Sequence, residues 1–189
     1  INKLGLDQSS GYGIANKIVS FAMLIPSALM QSMASFVGQN IGANKIDRAK
    51  KSMYIGMGIG SVIGLGVCTL TFFFGTSLSY IFTDINSYAI ESGIYLKGFA
   101  LEAILTCILF SYMGYFSGQG KTIFVMLQGI AQTFIVRLPM SYIMSIQPNP
   151  NLAVIALAGP AATLFGIFIN VIYYFISNNK KKTNEIIID

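Results

Sequence analysis

The stretch Phe36–Lys51, FVGQNIGANKIDRAKK, separates two long apolar runs, and that arrangement constrains the fold more than any other feature. It holds four cations, Lys45, Arg48, Lys50 and Lys51, with one anion, Asp47. Gly42 is placed to end the first helix, because glycine takes the left-handed conformation past a helix end at little cost. Asn44 is placed to cap the next, with Asp47 three residues on in the manner of a capping box. The four cations then fall in the first turns of a helix, where the macrodipole disfavours positive charge. Anionic lipid headgroups on a cytoplasmic face favour them there instead. An ordinary solvated basic turn is the plainer reading, and the apolar runs on both sides weigh against it.

Composition decides the solvent. Only 10% of the 189 residues are charged and 54% are hydrophobic, where a soluble domain carries about 25% charged residues. With a mean hydropathy of +0.66, the chain reads as an all-α membrane protein, a polytopic bundle of five transmembrane helices. There is no histidine, which removes the usual general base and the commonest metal ligand. Cys68 and Cys107 are isolated within apolar runs and read as small core residues, not as a disulfide or metal pair. No metal site and no cofactor are expected. The net charge of +5 is clustered, so it speaks to membrane topology and not to nucleic acid. The start at Ile1, without methionine or targeting motif, reads as that of a fragment.

The spacing predicts helices over about 11–39, 52–74, 87–116, 123–145 and 152–176, making one bundle over residues 1–177. A polar, mobile cytoplasmic tail over 178–189 opens with Lys180, Lys181 and Lys182. The first helix would be roughly 43 Å long against a hydrocarbon core of ~30 Å, with Pro26 as its bending point. Asn16, Ser20, Ser27, Gln31 and Ser35 share one broad face of it, which looks into a bundle or a wet cavity. Interhelical hydrogen bonding accounts for that stripe as well as a cavity lining does. In the second helix Gly56, Gly60 and Gly64 repeat every four residues, a packing pattern that lets another backbone approach.

The third helix carries Glu91, Lys97 and Glu102. Lys97 can snorkel outward, whereas Glu102 lies near the midplane. Tyr95, Phe99, Glu102, Thr106 and Met113 share a face by helical spacing. A carboxylate among aromatics suits an organic cation, by charge and by cation–π attraction. The competing reading is an ion pair with Lys97 or Arg137 that only fixes packing; ionisable groups at membrane depth are functional by default. The turn Gly118–Thr122 looks like part of a phosphate loop, but position 115, where that motif needs glycine, is Tyr115. The fourth helix places Gln128 and Gln132 on one face and Arg137 on the opposite one, and Pro139 bends it. Gln147–Pro150 reads as a turn. In the fifth helix Gly159–Pro160 interrupts the first half, and Thr163, Asn170 and Tyr174 share a face.

Alternation of the helices puts the basic turn, Lys121 and the triple lysine on one side, with Lys3 counted on the other. The positive-inside rule makes the basic side cytoplasmic, so Ile1 is outside and Asp189 inside.

The stretches GQNIGANKIDRAKKS, GYFSGQGKTIFVMLQG and VRLPMSY resemble multidrug and toxic compound extrusion (MATE) transporters, most of all their DinF-like, Firmicute-type branch. The resemblance covers nearly the whole chain and places it at the last five of twelve helices, in the C-terminal lobe. It implies cation-coupled export of amphipathic organic cations from the cell membrane in exchange for Na⁺ or H⁺. Two six-helix lobes would alternate access to a central cavity. Its partners would be the lipid bilayer, small organic cations, and an N-terminal lobe and seventh helix of the same polypeptide. Some members use an acidic residue of the tenth helix, which Glu102 matches by position; many relatives carry Asp there. Asn16, Ser27, Gln31, Tyr95, Phe99, Thr106 and Met113 are the candidate cavity residues, and Lys97 and Arg137 the candidate ion-pair partners. The alternatives are a flippase for lipid-linked saccharides of the same superfamily and a structural membrane subunit. The absence of histidine, paired carboxylates and a metal-ligand cluster argues against an enzyme.

Overall fold

A computed structural model of the chain describes residues 5–147 and 151–188, with side chains through Ser177. Lys3, the prolines of the Gln147–Pro150 turn and the side chains of the triple lysine lie outside the described residues. Among the described residues, five spans are long and apolar enough to cross a membrane: Leu6–Gly42, Ile46–Ser79, Asn86–Gly118, Thr122–Ser145 and Leu152–Ser177. They are divided into α1 (Leu6–Ala22), α2 (Leu24–Gly42), α3 (Ile46–Ser79), α4 (Asn86–Gly118), α5 (Thr122–Ala131), a π-helical segment (Gln132–Arg137), α6 (Leu138–Ser145), α7 (Leu152–Ala156) and α8 (Ala158–Ile188). The described residues contain no strand. The helices outrun their apolar cores. The 34 residues of α3 measure about 51 Å, so its lysine-bearing first turns extend past the ~30 Å hydrocarbon layer. The backbone of α8 likewise continues through Ile188, so residues 178–188 extend the last helix.

Three prolines set the interruptions. Pro26 follows the break at Met23 by three residues, and Pro160 follows the break at Leu157 by three. Each proline lacks the N–H that would reach back to the carbonyl four residues earlier, Ala22 or Ala156, so the helix restarts there. The bend expected at Pro26 therefore lies one turn earlier. Before Pro139 the helix does not simply bend but takes π-type bonds over Gln132–Arg137.

The basic turn closes differently from expectation. Gly42 stays inside α2, and Asn44 takes the left-handed conformation, with φ 56. Lys45 N–H donates to Asn40 O at 2.8 Å and Asn44 N–H to Ile41 O at 2.9 Å, a Schellman closure with Asn44 at its left-handed position. Asn44 thus finishes α2; it does not cap α3, whose N-cap is Lys45. The turn after α4 repeats the motif: Gly120 has φ 78, and Lys121 N–H donates to Phe116 O at 3.0 Å.

Helix α4 is the hub, with buried residues from Ala89 to Phe116 and the other spans packed against it. Gly56, Gly60 and Gly64 of α3 are buried, and a Cβ on Gly64 would lie 2.9 Å from Ala103 O and from Ile104 Cα of α4. Gly58 and Gly66 face open space. A second small-residue row, on α4 itself, meets α2: Cβ atoms on Gly114 and Gly118 would fall 2.6 Å from Met30 O and Ala34 O. At the basic end an aromatic layer joins the spans, with Phe124 stacked on Tyr173 at 3.7 Å and Tyr54 Oη donating to Tyr174 Oη at 3.1 Å. Lys121 donates to Ser177 and lies over the Tyr173 ring at 5.0 Å. Lys17, inside α1, is exposed on its outer surface, so the side opposite the basic turns also carries a cation within a helix.

Candidate functional site

Glu102 is 5% exposed, on the face of α4 that packs against α8. Arg137, at the end of the π segment, brings Nη1 to 3.8 Å from Glu102 Oε1. The carboxylate rests on Gly159, where any Cβ would overlap Oε2 and lie 2.7 Å from Cδ. Gly159 is the second residue of α8, just past the break that Pro160 imposes. The carboxylate is thus packed on the first turn of α8 with a guanidinium beside it.

The π segment explains how Arg137 arrives. In a regular helix Arg137 would point away from Gln128 and Gln132. A π turn takes an additional residue per turn and so rotates everything after it. Gln128 and Gln132 lie against Gly166, while Arg137 reaches the carboxylate lying on Gly159. Gly159 and Gly166 are seven residues apart and share one face of α8. The two faces expected to oppose each other thus both turn toward α8.

Beside this pair opens a cleft of ≈ 590 Å³, lined among others by Tyr12, Tyr95, Thr133, Arg137, Ser141 and Tyr142, and by Gly159 at its edge. Tyr12 and Tyr95 meet edge to face, ring centroids 5.1 Å apart. A cleft of this size suits a small organic ligand. Phenol rings, hydroxyls and a neighbouring carboxylate suit one with a cationic centre.

Of the expected lining residues, Tyr95 lies on this cleft. Phe99 is buried against the α1–α2 break, around a void of ≈ 10 Å³ shared with Met23 and Pro26. Thr106 is buried in the seam and Met113 half-buried. Asn16 and Ser27 are half-buried and Gln31 is exposed, since α1 and α2 turn Ile14, Ala15, Ile18, Met33 and Val37 inward. That polar stripe lies apart from the cleft, and Ser27 donates to Met23 O of its own helix at 2.8 Å. Lys97 is exposed on the other side of α4, five residues and so about 140° from Glu102. Arg137 is therefore the ion-pair partner of Glu102, and Lys97 is not.

Sequence reasoning missed Tyr12 and the seating of Glu102 on Gly159. The Gly159–Pro160 pair was visible as an interruption, but which side chain fills the space it leaves depends on helix register.

The MatE family model matches residues 1–143. The probable multidrug resistance protein YoeA of Bacillus subtilis is 22% identical over 197 residues, covering 99% of this chain and 40% of its own length. The probable multidrug resistance protein NorM of Pasteurella multocida is 25% identical over 142 residues, 75% of this chain and 31% of its own. The multidrug resistance protein MdtK of Photorhabdus laumondii is 24% identical over 195 residues, 100% of this chain and 42% of its own. The chain thus spans less than half the length of these curated relatives. With a family model matched over most of its length and five apolar spans among the described residues, the chain belongs to the MatE family.

Proposed function

We propose that this chain is the C-terminal part of a cation-coupled antiporter that exports amphipathic organic cations from the cell by alternating access. The observation that carries the reading is the buried Glu102 carboxylate, held between Arg137 and Gly159 at the edge of the ≈ 590 Å³ cleft. A carboxylate at this depth binds a proton or Na⁺ in place of part of its attraction to Arg137. Arg137 is half exposed and free to turn toward the cleft as its partner is neutralised. Coupling follows if ion and drug bind the two access states with different affinity. The names of the relatives support drug export over transport of lipid-linked saccharides. The basic turns mark the cytoplasmic side, with the start of the chain outside and its end inside. The remaining lobe of the same polypeptide would form the opposite wall of the cavity.

The test is uptake of a cationic dye by inside-out vesicles containing the intact protein, under an imposed Na⁺ or proton gradient. Transport that follows one of the two gradients supports the reading. Transport indifferent to both excludes cation coupling.

A further inference from the structure

Seven residues beyond Gly159, Gly166 seats amides where Gly159 seats a carboxylate. Gln128 Nε2 donates to Gln132 Oε1 at 2.7 Å, and both amides occupy the space a Cβ at position 166 would take. Asn170 Nδ2 donates to Gly166 O, also at 2.7 Å. The nitrogen ends of Gln128 and Asn170 thus each donate one hydrogen bond beside one glycine. Their oxygen ends accept none: among the described residues, Gln128 Oε1 and Asn170 Oδ1 are buried with no hydrogen-bond partner. Gln128 is 2% exposed and Asn170 0%. Turning the Asn170 amide over would set its oxygen against the Gly166 carbonyl, so that bond fixes its orientation. Within a membrane an unpaired amide oxygen is costly, because neither lipid nor bulk water can supply the missing donor.

We propose that Gln128 Oε1 and Asn170 Oδ1 share a buried water molecule in the seam between α5 and α8. Water carries two hydrogens, one for each orphaned acceptor, and bridging such groups is what internal waters do. The absent side chain of Gly166 gives the Gln128 and Gln132 amides room in the seam. An alkali cation is the poorer occupant. Gly159, which seats the Glu102 carboxylate, is seven residues and so about 10 Å along α8 from Gly166. A charge placed at Gln128 and Asn170 would have only neutral oxygens around it. The site stands whether or not Glu102 exchanges an ion.

Two measurements test it on the intact protein in detergent. The first is a thermal double-mutant cycle of Gln128→Met and Asn170→Leu, each close in volume to the residue replaced. Each single change lowers the melting temperature. If one water serves both, the double variant falls by clearly less than the sum of the two shifts, since the second change removes nothing further. Additive shifts would overturn the proposal. The second needs no variant: millisecond radiolysis in ¹⁸O water, read by mass spectrometry at Leu109, whose side chain packs on Gly166. Labelled Leu109 in the folded protein supports a resident water, and an unlabelled Leu109 excludes it. Stabilisation by Na⁺ over choline that vanishes in Asn170→Leu would assign the site to a cation and overturn water.

Discussion

The Glu102 carboxylate lies directly on the backbone of Gly159, so close that a β-carbon there would overlap Glu102 Oε2. The restart of α8 before Pro160 and the central position of α4 place these two residues together, and Arg137 closes the group at 3.8 Å.

Gly159→Ala tests that seat. The added methyl must push the carboxylate off α8 and change its distance to Arg137, while adding only one carbon to the seam. Gradient-driven dye transport should fall by roughly tenfold, equivalent to about 1.4 kcal/mol, with the protein still made and inserted. Undiminished transport would show that the carboxylate position is not critical.

Glu102→Gln keeps size and hydrogen bonding and removes the charge. Normal membrane levels and dye transport close to background are expected, with Glu102→Asp retaining part of the activity. Full activity of the Gln variant would return Glu102 to a packing role with Arg137.

Gly60→Leu and Gly58→Leu separate packing from lipid exposure within one helix. A Cβ on Gly60 already lies 2.8 Å from Leu29 Cδ2 and 3.1 Å from Cys107 Cβ, whereas one on Gly58 meets nothing within 4 Å. Overpacking of this kind costs about 1–3 kcal/mol, so Gly60→Leu should lower the melting temperature in detergent and Gly58→Leu should not. Equal melting curves would mean that α3 and α4 separate without loss.

Orientation is checked with single cysteines in cells, in a background lacking Cys68 and Cys107. A cysteine at Asp84, in the turn between α3 and α4, should react with an impermeant maleimide. One at Thr183, in the basic extension of α8, should resist until the cells are opened. The reverse pattern would invert the assigned topology.

Much of this architecture is written in local sequence. Five apolar runs, each too long and too uncharged for water, determine five spans, and the lysine-bearing turns determine which helix ends share a side. Pro26, Pro139 and Pro160 fix where helices are interrupted, because a missing N–H acts on the residue four before it. The glycine row of α3 announces a close contact, though not that its partner would be α4. What the sequence could not decide is rotation. Lys97 and Arg137 were equal candidates for Glu102 until the π turn before Leu138 swung Arg137 inward and the packing of α4 left Lys97 on the outside. Gly42 and Asn44 were both fit to take the left-handed position, and two further residues of α2 gave it to Asn44. A helix's periodicity says which residues travel together. Only its packing against neighbours says where that face points, and the partners of Glu102, Gln128 and Asn170 are all consequences of that second choice.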